Sequence, residues 1–122
     1  MVTLFEPPAR IELMKGEVEM YAIAFDLDTE MLKNTYRNES IGNAYGEIRK
    51  VMEEFGFMNQ QGSVYFGSEG TNAVTCFEVT AELTERYDWF SSSVRDIRML
   101  RIEDENDLKP VINRTLKQRK GS

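Results

Sequence analysis

"MYAIAFDLD", residues 20–28, is apolar from Met20 to Phe25 and then sets Asp26 and Asp28 on either side of Leu27. Its length and its Tyr, Ile and Phe content predict a β-strand. Tyr21, Ile23, Phe25 and Leu27 fall on one face, and Met20, Ala22 and Ala24 on the other before Asp26. A strand that is apolar on both faces belongs in the middle of a sheet, covered on both sides. The carboxylates at its end either finish the strand or do chemistry, and the rest of the chain bears on which.

Working outward, the spacing predicts a turn of helix over Thr29 to Tyr36. "RNES" (37–40) then supplies capping residues for a helix from Ile41 to Phe55. Ile41, Ala44, Tyr45, Ile48, Met52 and Phe55 recur at helical spacing, and Gly56 ends the run. "FMNQ" (57–60) and "SVYFG" (63–67) flank Gln61-Gly62 as a strand pair with a short turn. "SEGT" (68–71) caps a helix from Asn72 to Tyr87 with Val74, Phe77, Ala81 and Thr84 on one side, and Asp88 caps a brief turn containing Trp89 and Phe90. "VRDIRMLRIE" (94–103) is a fourth strand, and a short helix from Asn106 tolerates Pro110 in its first turn. The order β-α-β-β-α-β is the ferredoxin-like α+β sandwich, an antiparallel sheet with helices on one face. Right-handed crossovers give the strand order 4-1-3-2, with the first strand antiparallel to both neighbours.

Helices cover only one face of such a sheet. Ile97 and Met99 fall on one side of the fourth strand and Leu100 and Ile102 on the other, so the open face calls for a partner. A homodimer packed sheet to sheet is the simplest one.

The 122 residues suffice for one core. Three segments divide them: an arm over 1–19, a domain over 20–105, and a C-terminal helix with basic tail over 106–122. The arm contains Pro7-Pro8 and no sustained period. Two readings of it stay open. One is a translated leader ahead of a second start at Met20, since Lys15-Gly16-Glu17 is encoded by a purine-rich string. The other is a native strand or hook packing through Ile11, Leu13 and Met14.

Composition excludes several chemistries. The chain has no histidine and one cysteine, Cys76, so zinc ligand sets and Ser-His or Cys-His nucleophile pairs cannot be assembled within it, nor can an internal disulfide. Catalysis would rest on carboxylates, hydroxyls, Arg or Lys. No apolar run reaches the length of a membrane span and no secretory signal is evident, which fits a reducing cytoplasm. The net charge of −6 argues against a general polyanion binder. A gradient lies beneath that average, because basic residues outnumber acids from Arg95 onward. That region is either a solvated basic tail or a phosphate-binding surface.

The topology places the end of the first strand beside the starts of the third and fourth, so Asp26, Ser63 and Asp96 converge on one edge, with Arg95 and Arg98. Such a set could deprotonate a ribose 2′-hydroxyl while a guanidinium stabilises charge on phosphate, or Asp26 and Asp96 could hold a metal such as Mg²⁺. Structural roles compete. Asp26 or Asp28 serves equally as a helix cap, Asp96 as a strand-end ion pair with either arginine, and Ser63 as a turn residue.

"MYAIAFDLD", "AYGEIRKVMEEFGF", "QGSVYFG" and "SSSVRDIRMLRIED", in this order and spacing, resemble the virulence-associated protein D family over about residues 20–115. The resemblance implies a ferredoxin-like domain that dimerises, like the small CRISPR-associated endoribonucleases, and ribonuclease activity, in some members as a toxin paired with a small antitoxin. It places the family's strand-end acid on Asp26, its serine after Gln-Gly on Ser63 and its acid in "SVRDIR" on Asp96. Arg95 and Arg98 become candidates for RNA contact. The arm before Met20 and the length of the basic end depart from the family pattern. Against an endoribonuclease stands a binding module, because the fold hosts many non-catalytic RNA- and protein-binding proteins. A regulatory dimer whose sheet face binds another chain is a third reading.

Overall fold

The computed structural model describes residues 20–36 and 40–121. The arm 1–19, with both of its readings, and the first three residues of the "RNES" capping stretch lie outside them. Four strands, β1 (Met20–Leu27), β2 (Phe57–Gln61), β3 (Val64–Gly67) and β4 (Val94–Ile102), form one antiparallel sheet in the order β2-β3-β1-β4. Five helices accompany them among the described residues: α1 (Thr29–Thr35), α2 (Ile41–Glu54), α3 (Ala73–Arg86), α4 (Phe90–Ser93) and α5 (Lys109–Gly121). This is the ferredoxin-like α+β arrangement expected from the strand and helix order.

Local chemistry sets the boundaries. Ser40 caps α2 by accepting from the Gly42 N–H at 3.0 Å. Asn72 and Thr75 form a reciprocal capping box at the start of α3. Gly62, with a positive φ of 48°, makes the tight β2–β3 turn that the Gln-Gly pair announced. Asp88 does not cap α4; its N-cap is the buried Trp89, with no side-chain cap bond.

The core lies between the sheet and α2 and α3. Ile23, Phe25 and Leu27 of β1 meet Ala44, Ile48, Val51 and Met52 of α2, with Phe57, Tyr65, Trp89 and Phe90 closing the cluster. Burying each large aliphatic side chain of this kind contributes about 1.5–3 kcal/mol. The side of α3 that enters the core is Cys76, Val79 and Leu83. Val74 and Phe77, on the side picked out by the sequence pattern, are exposed. Phe77 instead edges an apolar groove of about 430 Å³ between α3 and β4, with Ile23, Ile97 and Met99. The C-terminal helix is longer than the sequence suggested and buries none of its residues. Leu108 just before it, and Val111, Ile112 and Leu116 within it, remain exposed.

Candidate active site at the end of the central strand

The β1–β4 ladder places Asp26 directly opposite Asp96, with Ala24 opposite Arg98 one step further along the same face. Both acids lie at the open side of the sheet, since the alternate residues Phe25 and Leu27 are buried in the core. The register then shifts: Leu27 pairs with Val94 rather than with Arg95. Arg95 is thus the extra residue of a bulge, a device that redirects a side chain. Its guanidinium reaches back to Asp26, 3.6 Å from Nη1 to Oδ2, and to Asp28, 3.6 Å from Nη2 to Oδ2. Arg98 donates from Nε to both oxygens of Asp96, at 3.2 and 3.0 Å. That bond holds the Arg98 pKa above its ordinary value.

Asp28 has a different task. Its Oδ1 accepts from the backbone N–H groups of Glu30 and Met31 at 3.0 and 3.1 Å, which caps α1. The Met31 N–H is the main reason its carboxyl titrates below the usual range, with Glu30 and Arg95 adding to the effect. Its own backbone N–H donates to Ser93 O at 2.7 Å, so the end of β1 and the start of β4 are tied together where Arg95 emerges.

Ser63 is on the same edge but opens to the other side. Its carbonyl accepts from the Phe25 N–H at 3.2 Å, one residue from Asp26, while the residue lines a cleft on the helix side of the sheet. All five expected residues therefore share one edge, with four on the open side and Ser63 across the rim. The cleft, of about 570 Å³, is bounded by Gly42, Tyr45, Gly46 and Arg49 of α2 and by Asn59, Gly62, Ser63 and Tyr65 of the β2–β3 hairpin. Sequence reasoning missed it, although two glycines four residues apart inside a helix were a signal. Among the described residues no group of three or more Asp, Glu, Cys or His could by itself hold a metal ion. A cation at the Asp26–Asp96 pair would need further oxygens from substrate or water.

Fold and edge together define the class: a small ferredoxin-like α+β domain with paired carboxylates and two arginines at the end of its central strand. The chain is 49% identical over 94 residues to Endoribonuclease VapD 2 of Riemerella anatipestifer, spanning 77% of this chain and 100% of that one. It is 50% identical over 93 residues to an Endoribonuclease VapD homolog of Helicobacter pylori, 76% and 96% of the two chains. To Endoribonuclease VapD of Dichelobacter nodosus it is 43% identical over 93 residues, 76% and 97% of the two. No family model matches the chain. Identity of this order along nearly the whole length of these relatives shows that the chain belongs to the VapD family.

Proposed function

We propose that this chain is an endoribonuclease that cleaves RNA by attack of a ribose 2′-hydroxyl on the adjacent phosphate. The observation that carries this reading is the Asp26–Asp96 pair facing one another across β1 and β4, with Arg95 turned onto Asp26 by the bulge and Arg98 bonded to Asp96. The relatives named above are endoribonucleases by name. Asp26 takes the proton of the 2′-hydroxyl as its oxygen bonds to phosphorus and the P–O5′ bond breaks, the departing 5′-oxygen taking its proton from water. Arg95 and Arg98 offset the charge that develops on phosphate, and Asp96 holds Arg98 in place for that role. Ser63 positions the strand at the rim. An Mg²⁺ ion held by Asp26, Asp96 and the phosphate would supply Lewis-acid chemistry to the same bond, since Mg²⁺ favours one or two carboxylates with phosphate and water.

Product ends test the route. A 2′,3′-cyclic phosphate, and resistance of a strand carrying a single 2′-deoxy residue at the cut, are the expected results. A 5′-phosphate, with activity lost to a chelator and restored by Mg²⁺, would replace this route with metal-assisted hydrolysis.

The working unit in this reading is a cytoplasmic homodimer built on residues 20–105, with the arm 1–19 accessory to it. The exposed Met58 and Leu100 on the open sheet face support self-association. The resemblance of the four sequence blocks extends the reading to a toxin-type role opposed by a small antitoxin. Growth arrest on expression, absent for an Asp26→Asn chain, tests that role.

A further inference from the structure

The cleft between α2 and the β2–β3 hairpin has no part in the bond-breaking chemistry assigned to the acids, yet it adjoins them. Its floor is aromatic: Tyr45 and Tyr65 both stack on Phe25, at centroid distances of 6.4 and 6.1 Å. Tyr65 is buried and Tyr45 half-buried, and both line the cleft. Arg49 stands at one side. Its Nη2 donates to Asn59 Oδ1 at 2.8 Å, and the guanidinium lies beside the Tyr65 hydroxyl. Asn59 in turn spends its amide N–H groups on the carbonyls of Gly62 and Val64, at 3.0 and 3.3 Å. The guanidinium is thereby fixed in direction, with donors to spare and no carboxylate paired to it among the described residues.

The opposite wall is helix backbone. Gly46 sits in the interior of α2, where glycine is less favourable than alanine, and a β-carbon built on it would meet nothing within 4 Å. No packing partner in the described chain requires the glycine. It leaves open space over an aromatic floor beside an oriented arginine, and that is a surface on which a planar heterocycle stacks and finds hydrogen-bond donors.

We propose that this cleft is a nucleotide subsite that takes one unpaired base of the RNA whose phosphate lies at the Asp26–Asp96 edge. The proposal rests on the endoribonuclease reading and adds to it where the strand is gripped. The rim between cleft and acids is short, because Ser63 is hydrogen-bonded to Phe25, the neighbour of Asp26. The chain is acidic overall, with net charge −6, so counterion release gives it little hold on a phosphate backbone. Stacking supplies affinity that does not depend on net positive charge.

The test uses the full chain with a 2′-O-methyl RNA strand, which binds but offers no attacking hydroxyl, and with the same strand as ordinary RNA. Gly46→Leu fills the cleft, and Gly46→Ala adds only the β-carbon and serves as a fold control. Expected are a Tm at or above that of the parent for Gly46→Ala, and on the order of tenfold weaker 2′-O-methyl RNA binding for Gly46→Leu. KM for RNA should rise by a similar factor in Gly46→Leu with little change in kcat. Arg49→Gln, away from the added bulk, should show the same KM-weighted loss. If the parent cleaves RNA and folded Gly46→Leu binds and cleaves it equally well, the subsite is wrong and the nuclease reading stands. If the parent neither binds nor cleaves RNA, both fall.

Discussion

The two faces of the sheet differ in how much chemistry they leave open. On the helix side, Ile23, Ile48, Val51 and Phe57 are at most 1% exposed, a closed core whose task is to hold β1 in place. On the other side, Leu100 is 46% and Met58 51% exposed, and the same strands end in Asp26, Asp96 and Arg98. Strand alternation makes this division, because one residue's step along β1 moves from core to open face. The lesson is that the closed face fixes the position of the acids while the open face presents them beside exposed apolar residues. Changes on the two faces should therefore fail in different ways.

The largest separation is expected from one pair of substitutions. Ile23→Asn places an amide in the closed core beside Tyr65 and Met99, its partners across β3 and β4. Lost packing plus an unsatisfied polar group should cost roughly 3–5 kcal/mol and lower the urea midpoint accordingly. Leu100→Asn, on the exposed face, should move folding stability by less than about 1 kcal/mol. Its effect should appear in light scattering, as weaker self-association. Equal effects of both changes on the urea midpoint would erase the distinction between the faces.

Much of this division was legible in the sequence. The two-faced apolar character of β1 follows from alternation in "MYAIAFDLD", because a period of two reports directly which residues share a face; the β2–β3 pair follows from the Gln61-Gly62 turn and the strand order from right-handed crossovers. The buried side of α3 was not legible in the same way. Val74, Phe77 and Ala81 make one apolar stripe and Cys76, Val79 and Leu83 another. Periodicity cannot rank two apolar stripes on one helix. At the site, the topology brought Asp26 and Asp96 together. The bulge that swings Arg95 onto Asp26 depends on where the ladder slips, which no single strand encodes. The cleft at Arg49 and Asn59 needs α2 and the hairpin to be docked before it exists.

A smaller effect is expected in acid. Asp28 titrates below its ordinary value in the folded chain, chiefly through the Met31 N–H, so its stabilisation is fully present above the unfolded carboxyl pKa of about 3.9 and is lost as pH falls through the folded pKa. Asp28→Asn keeps an oxygen to cap α1 but cannot titrate. Its Tm near neutral pH should lie slightly below that of the parent, and the gap should close on acidification. A gap that stays constant down to low pH would remove Asp28 from the acid response.

The smallest effects are expected away from the edge. Glu103→Gln, just beyond the far end of β4, should leave RNA cleavage within about twofold of the parent, a change below 0.5 kcal/mol. A chain starting at Met20 should keep the thermal midpoint and activity of the full chain. A large loss in either would show that the arm packs against the domain or its partner.

The most direct measurement is cleavage of RNA by purified Asp26→Asn protein. The side chain keeps its size and its capacity to accept a hydrogen bond from Arg95, and it sits on the exposed side of the edge, 60% accessible, so folding and Tm should be unchanged. Loss of a general base lowers rates by about 10²–10⁴-fold, and that is the loss predicted here, with DNA cleaved by neither protein. A folded Asp26→Asn chain that cleaves RNA as fast as the parent would contradict the account, and would leave the carboxylates at the end of β1 with structural work alone.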